Sequence, residues 1–264
     1  MSKLSVFVKL GGSFITDKNV ADSLAGPRIE TAARMIGEAL GQSEMSLVLG
    51  HGAGSYGHIL AQKYDAVRGV HPELGWEGYY KIRESMTEMN LRFVRHCGAG
   101  GLHPVTISPH AVAAAADGRL ERIDTRNISE LLKQGQIPLL HGDIVPDRVR
   151  GFTIASTEAL LAGLAEHMRF DRVVMISDTV GVLDEKGRTI EMLDDGGFAA
   201  AAEHIGGAGA PDVTGGMRRK VEQLFSLIRA GRIGEARITT CAEEPENLRR
   251  AILGDGGGGT LLQA

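Results

Sequence analysis

The stretch that most limits what this chain can be is Gly50-His51-Gly52-Ala53-Gly54-Ser55-Tyr56-Gly57-His58, which follows the mostly apolar run Met45-Ser46-Leu47-Val48-Leu49. A short apolar run closed by a glycine cluster reads as a buried strand that ends in a tight turn. The residues after it, Ile59-Leu60-Ala61-Gln62-Lys63-Tyr64, can start a helix. Strand, turn and helix start together gather backbone N–H groups and the positive end of a helix at one point, which suits an oxyanion such as a phosphate. His58 would stand beside that anion.

Three readings compete for the stretch. Gly52-Ala53-Gly54-Ser55-Tyr56-Gly57 satisfies G-x-G-x-x-G, but a dinucleotide site also wants an acidic residue at the end of a second strand about 20 residues on. That region is Val70-His71-Pro72-Glu73-Leu74-Gly75-Trp76-Glu77, which does not read as a strand. A P-loop would need Lys and Ser or Thr after Gly57, where the chain has His58-Ile59. A ligand-free strand–helix turn is the third reading.

Composition narrows the partners. With 264 residues, 43% of them hydrophobic, the chain can bury one large α/β core. Glycine, at 36 of 264, is about twice its usual share of roughly 7% and clusters where apolar runs end. The charge balance is 29 basic against 33 acidic residues, with no basic stripe interleaved by aromatics, so nucleic acid is not an expected partner. Cys97 and Cys241 lack disulfide or metal spacing, no metal ligand set stands out, and no 18-residue apolar stretch or signal peptide is seen. A cytoplasmic protein with no membrane partner is expected.

Along the chain, Leu4 to Val8 reads as a first strand running into Lys9-Leu10-Gly11-Gly12-Ser13, with Lys18 shortly after. Two lysines flanking a Gly-Gly-Ser turn can hold a second phosphate. Helices are expected from Arg28 to Leu40 and from about Gly75 to Cys97, the latter with Tyr79, Ile82, Met86, Met89 and Phe93 on one face. Such a stripe is more often core than the wall of a pocket, and its position just after the glycine stretch raises the pocket reading. Further strands are read at His103 to Ser108, Ile137 to Asp143, Arg172 to Asp178, Ala236 to Thr240 and Gly259 to Leu262. A β-hairpin is expected between Ile144 and Ala155, and helices at Asn127 to Gln134, Thr157 to His167, Met217 to Ala230 and Pro245 to Leu253. Asp212-Val213-Thr214-Gly215-Gly216 enters the Met217 helix, one turn into which stands Lys220, a third place for phosphate contacts. Alternation of strand and helix predicts an open, mostly parallel sheet with a two-anion site at its carboxyl edge.

As an ordered set, Lys9 to Ser13 with Lys18, His51 to His58, Gly142-Asp143, Asp178 with Gly181, and Asp212 to Met217 with Lys220 resemble the amino acid kinase superfamily. Within it they are most similar to the isopentenyl phosphate kinase family. The resemblance implies an open αβα sandwich forming one domain over residues 1–264, in which residues 1–170 mainly bind the phosphoryl acceptor and residues 171–264 mainly bind ATP. It implies ATP with Mg²⁺ as cofactors, isopentenyl phosphate as substrate, a homodimer, and a place in isoprenoid biosynthesis by an alternative mevalonate route. Carried over residue by residue, Lys9, Gly11, Gly12 and Ser13 contact the transferred phosphoryl group and Lys18 stabilises the transition state. Ala53 and Gly54 supply backbone donors between acceptor and ATP, and His58 holds the acceptor phosphate. Asp178, Gly216 and Lys220 belong to the nucleotide side, and Gly142, Thr157, Glu158, Tyr79, Ile82 and Met86 to the acceptor side. The chain departs from the family at Ser156-Thr157-Glu158, where Ser-Gly-Asp is frequent, and at Asp178-Thr179-Val180-Gly181, where Asp-Val-Asp-Gly is frequent.

Elementary chemistry agrees. Transfer between two phosphates brings two anions together, so catalysis is mainly positioning and charge neutralisation, which lysines and N–H groups supply. An acceptor phosphate is already a nucleophile, so a histidine donor suffices where a hydroxyl acceptor calls for a carboxylate. A fosfomycin-type phosphonate kinase and a non-catalytic nucleotide- or oxyanion-binding protein stay open as alternatives. The first would want a small polar acceptor pocket, and the second would not need Lys9, Lys18 and Lys220 together.

Overall fold

Leu4–Leu10 forms the first strand, β1, and its side chains divide between two cores, with Val6, Val8 and Leu10 in one and Phe7 in the other. Period-two alternation with both sides apolar is what a strand covered on both faces requires. Phe170–Ile176 repeats the division, Val174 and Ile176 packing on one side and Val173 and Met175 on the other. The computed structural model describes residues 3–17, 20, 22–201 and 216–264. Among them the order after β1 is α1 (Gly12–Ile15), α2 (Gly26–Gln42), β2 (Met45–His51), α3 (Gly54–Lys63), α4 (Glu77–Ala99), β3 (Val105–Thr106), α5 (Pro109–Val112), β4 (Ala113–Ala116) and β5 (Arg119–Ile123). There follow α6 (Arg126–Lys133), β6 (Pro138–His141), β7 (Asp143–Asp147), β8 (Gly151–Ala155), α7 (Thr157–Ala165), β9 (Phe170–Ile176), β10 (Met192–Leu193) and α8 (Asp195–Ala201). The chain closes with α9 (Gly216–Arg229), β11 (Ile233–Thr239), α10 (Glu246–Leu253) and β12 (Thr260–Leu262).

The main sheet has the order β10-β12-β11-β9-β1-β2-β6-β3, parallel except where β12 runs against β11. Helices α2, α4 and α10 cover one face, through Ile29, Ile36, Met86, Phe93, Leu248 and Ile252. Helices α6, α7 and α9 cover the other, through Ile128, Leu160, Leu164, Val221 and Phe225. The expected αβα sandwich is therefore the observed one. Because β1 pairs with β2 on one side and β9 on the other, the strand order reverses beside β1, and a crevice opens at the carboxyl ends there. Register brings those ends level, with Leu10 opposite His51 and Ile176, and His51 opposite His141.

Two expectations change. The run from Ile137 to Asp143 is not one strand; it breaks at Gly142, whose N–H donates to the His51 carbonyl at 3.0 Å. Asp143 then starts β7, which leaves the main sheet and pairs antiparallel with β8 as the anticipated hairpin. That hairpin joins β4 and β5 in a second sheet ordered β5-β4-β7-β8. The expected third strand shrinks to Val105–Thr106, an edge strand paired with β6 alone. Ala113–Ala116 is a strand despite alanine's preference for helix, since Ala113 and Ala115 fill the second core and pairing decides.

Candidate active site

Strand parity sorts the side chains at the carboxyl edge. Lys9 shares its face with Phe7, so it emerges towards α7 and α9, and there its ammonium pairs with the carboxylate of Glu158 in the first turn of α7. Lys220, one turn into α9, acts on the same carboxylate electrostatically. Burial would raise the Glu158 carboxyl, but Lys9 and then Lys220 hold it below the ordinary value, so it is a carboxylate that orients lysines. Gln223 donates to the Glu158 carbonyl at 2.8 Å and ties α9 to α7.

The two glycine loops touch backbone to backbone. A Cβ added at Gly12 would stand 2.5 Å from the Gly54 nitrogen, and one added at Gly52 would stand 2.5 Å from the Gly12 nitrogen. Gly54 also has φ +51, which other residues rarely adopt. The closeness of Gly12 to Gly54 therefore demands glycine from both loops. Gly11 N–H donates to the Ile176 carbonyl at 2.7 Å, and Gly52 N–H to that of Leu10 at 3.0 Å, so three strand ends hold the loops. Ser13 Oγ donates to Asp178 Oδ1 at 2.7 Å, joining the loop after β1 to the loop after β9.

On the opposite face stands a neutral polar layer. His51 and His141, both buried, stack at 5.1 Å with planes 11° apart. Burial, set against hydrogen bonds to Gly52 and Asn90, lowers the pKa of His51 to about 4, and burial together with the nearby His51 lowers that of His141 to about 3. His51 Nδ1 lies 3.0 Å from the Gly52 carbonyl, and Nε2 lies 3.2 Å from the Asn90 side-chain amide, which continues at 3.0 Å to the Thr106 hydroxyl. Asn90 turns its Oδ1 to the ring and donates through Nδ2 to the Thr106 hydroxyl. Thr157 Oγ1 donates to the His51 carbonyl at 2.7 Å, which ties the start of α7 to the end of β2.

These elements enclose a cavity of about 290 Å³. Lys9, Gly11, Gly12, Ser13, Ala53, Gly54, His58, Gly142, Thr157, Glu158, Lys220, Ile82 and Met86 line it, all anticipated from the sequence. Gly52, Gly57, Ala61, Asp143, Ile144, Ile154, Ser156 and Ser177 also line it. Of these, Ile144 and Ile154 had no signal beyond alternation in the hairpin, where they stand directly opposite each other. One end is charged and built of N–H groups; the other is apolar.

Several expectations fall elsewhere. Tyr79 does not line the cavity: its hydroxyl lies 3.0 Å from His110 Nδ1, and its ring packs against Trp76 and Phe152. The reason is position along the helix: Tyr79 shares the face of Ile82 and Met86 but lies nearer the start of α4, where it meets His110 of α5. Met89 and Phe93, on the same stripe, are core. Asp178 and Gly216 do not line the cavity: Asp178 accepts from Ser13, which does, and Gly216 begins α9, which carries Lys220 to it. Lys18 and Asp212 to Gly215 lie outside the described residues.

A doubly covered parallel sheet, with two abutting glycine loops and lysines at its switch point, defines a protein that holds oxyanions face to face, as phosphoryl transfer requires. The sequence pattern of the amino acid kinase family matches residues 5–239, and the chain belongs to that family. The isopentenyl phosphate kinase of Methanothermobacter thermautotrophicus is 31% identical, the match covering 97% of this chain and 98% of that one. The isopentenyl phosphate kinase of Haloferax volcanii is 34% identical over 84% of this chain and 88% of its own. An X-ray structure of an isopentenyl phosphate kinase superposes with a TM-score of 0.81 at 27% identity, covering 98% of this chain and 100% of that one. Among the described residues no helix is long and apolar enough to cross a membrane.

Proposed function

We propose that this chain transfers the γ-phosphoryl group of ATP to isopentenyl phosphate, giving isopentenyl diphosphate for isoprenoid synthesis by an alternative mevalonate route. The observation that carries the reading is the division of one cavity into a lysine and N–H end and a short end walled by Ile82, Met86, Ile144 and Ile154. A phosphate bearing a small hydrocarbon matches both ends. A compact polar phosphonate would leave four aliphatic side chains without an apolar partner, which disfavours the antibiotic-kinase alternative.

In this reading His58 donates to the acceptor phosphate, and the N–H groups of Ala53 and Gly54 lie between acceptor and nucleotide. Lys9 and Lys18, with the turn from Gly11 to Ser13, neutralise the transferring group, and Lys220 with Gly216 and Asp178 serves the nucleotide. Glu158 keeps Lys9 and Lys220 in place. The acceptor is held mainly by residues 1–170 and ATP mainly by residues 171–264. Mg²⁺ is carried on the nucleotide, since such ions are held largely by phosphate oxygens and water. Bound there, it neutralises charge on the β- and γ-phosphates. The hydrogen-bonded pair Ser13 and Asp178 is an all-oxygen donor set that fits contact with the hydrated ion.

The test is ADP release coupled to a reporter, with isopentenyl phosphate, dimethylallyl phosphate, fosfomycin and an amino acid panel as acceptors. Turnover with the first two supports the reading. Release with fosfomycin or an amino acid alone, or with none, overturns it. A homodimer in the cytoplasm completes the proposal, with light scattering as the check on the first.

A further inference from the structure

Asp143, which lines the cavity, belongs to an ion pair that phosphoryl transfer does not call for. Arg83, on α4, donates through Nη1 to Asp143 Oδ2 at the start of β7. The other oxygen, Oδ1, accepts from the Ile144 N–H at 2.8 Å. The Asp143 side chain has no exposed surface, whereas that of Arg83 is 22% exposed. Removing two charges from water beside an apolar wall is costly, and exchanging such a pair for apolar residues is often neutral or stabilising. Stability alone therefore gives no reason for the pair.

Its position does. Arg83 lies between Ile82 and Met86, the two residues that α4 gives to the cavity. Asp143 immediately precedes Ile144, which stands across the hairpin from Ile154. The pair thus joins the two aliphatic walls. The hydrogen bond from Tyr79 to His110, one turn earlier on α4, is a second tie on the same side.

We propose that the Arg83–Asp143 pair is a specificity-determining staple, which fixes the separation of the Ile82–Met86 wall from the Ile144–Ile154 wall and so limits the length of hydrocarbon the acceptor can carry. The pair touches neither phosphate; it is a positioning pair, and the proposal rests on the alkyl-phosphate reading of the cavity. Lysine in place of Arg83 would keep the charge but lose the planar fork, so the wall would be held less rigidly.

The experiment measures kcat/KM for isopentenyl phosphate and for prenyl phosphates one and two isoprene units longer, in the wild type, Arg83→Gln, Arg83→Lys, Asp143→Asn and the double variant Arg83→Gln/Asp143→Asn. The ratio of long to short acceptor should rise about tenfold in Arg83→Gln and Asp143→Asn, the scale of discrimination that one or two methylenes confer in an apolar pocket. It should rise less in Arg83→Lys, and KM for ATP should stay within about twofold, since a positioning effect at the acceptor end is local. The double variant should show no more than the larger single effect, as expected for two halves of one contact. An unchanged ratio in variants that melt lower would make the pair merely structural and overturn the proposal, as would additive single effects. If Arg83→Gln does not fold, Arg83→Lys and Asp143→Asn decide by the same ratio. A wild type inactive on every alkyl phosphate overturns the functional reading and this inference with it; an active wild type with unresponsive variants overturns the inference alone.

Discussion

Acidification from about pH 7.5 to about pH 5 should destabilise this protein by ~2 to 3 kcal/mol, through the buried histidines and Asp143. His51 and His141 ordinarily titrate at 6.5, and in the fold at about 4 and about 3. Their folded values are depressed, so the stability that depends on their neutrality is complete above 6.5 and is lost as pH falls from there towards the folded values. At about pH 5 each costs ~2 kcal/mol, or ~4 together. Asp143 works the other way. Burial raises it from 3.8 to about 6 despite Arg83, so the folded state takes up a proton that the unfolded chain does not, and ~1 kcal/mol returns. His110, lowered by burial and then by Arg83, adds a smaller loss. The depressed carboxylates, such as Glu158 and Asp124, weaken the fold only near and below their ordinary values, which leaves this window to the histidines and Asp143. The net is a large part of the ~5 to 15 kcal/mol typical of a domain. Urea unfolding at both pH values measures it, and imidazole NMR signals assign it. Equal stability at both, or rings of His51 and His141 that titrate near 6.5, would refute the reasoning.

Three other perturbations probe the cavity. His58→Ala should raise KM for the acceptor and lower kcat with KM for ATP nearly unchanged, while His58→Gln or His58→Asn keeps part of the activity through its amide donor; wild-type kinetics in His58→Ala would make the histidine part of the turn only. Lys220→Ala and Glu158→Gln should each lower kcat by about two to three decades, the usual loss when one oriented charge contact in a phosphoryl-transfer site goes. Circular dichroism must show both folded, and near-wild-type turnover would remove them from the mechanism. Ile82→Ala or Met86→Ala should admit longer prenyl phosphates and also cost about 2 to 5 kcal/mol of stability, because both belong to the core as well as to the cavity; a stability loss with an unchanged acceptor profile would leave them as core alone.

What the sequence revealed of this site follows a physical division. Gly12, Gly52 and Gly54 were legible because backbone approach admits no other residue, so chemistry and sequence coincide at those positions. Lys9 was legible because it interrupts an apolar strand next to a glycine turn. Its pairing with Glu158 was not, since that residue, expected only on the acceptor side, lies 149 residues away and only the fold brings the two together. Arg83 and Asp143, 60 residues apart, were hidden for the same reason. Tyr79 misled because four-residue spacing puts residues on a common face without saying where a cavity wall ends. The Ala113–Ala116 strand escaped because its pairing with β5 and β7 outweighs local propensity.

The site's polarity follows from the parity of the strand ends. In β1 the residue next to last, Lys9, shares Phe7's face and so meets α7 and α9, where Glu158 and Lys220 lie. In β2 and β6 the last residues, His51 and His141, fall on the other face, against the α4 side, where burial keeps them uncharged. Lys9, Glu158 and Lys220 therefore collect on one side of the glycine loops, and the neutral histidines, with the mutually paired Arg83 and Asp143, on the other. A slip of one residue in β1 would turn Lys9 towards Phe93 and Met89 and Leu10 towards Glu158, which would leave a lysine buried without a carboxylate and a carboxylate without a lysine. The register that makes the core is thus the register that makes the site.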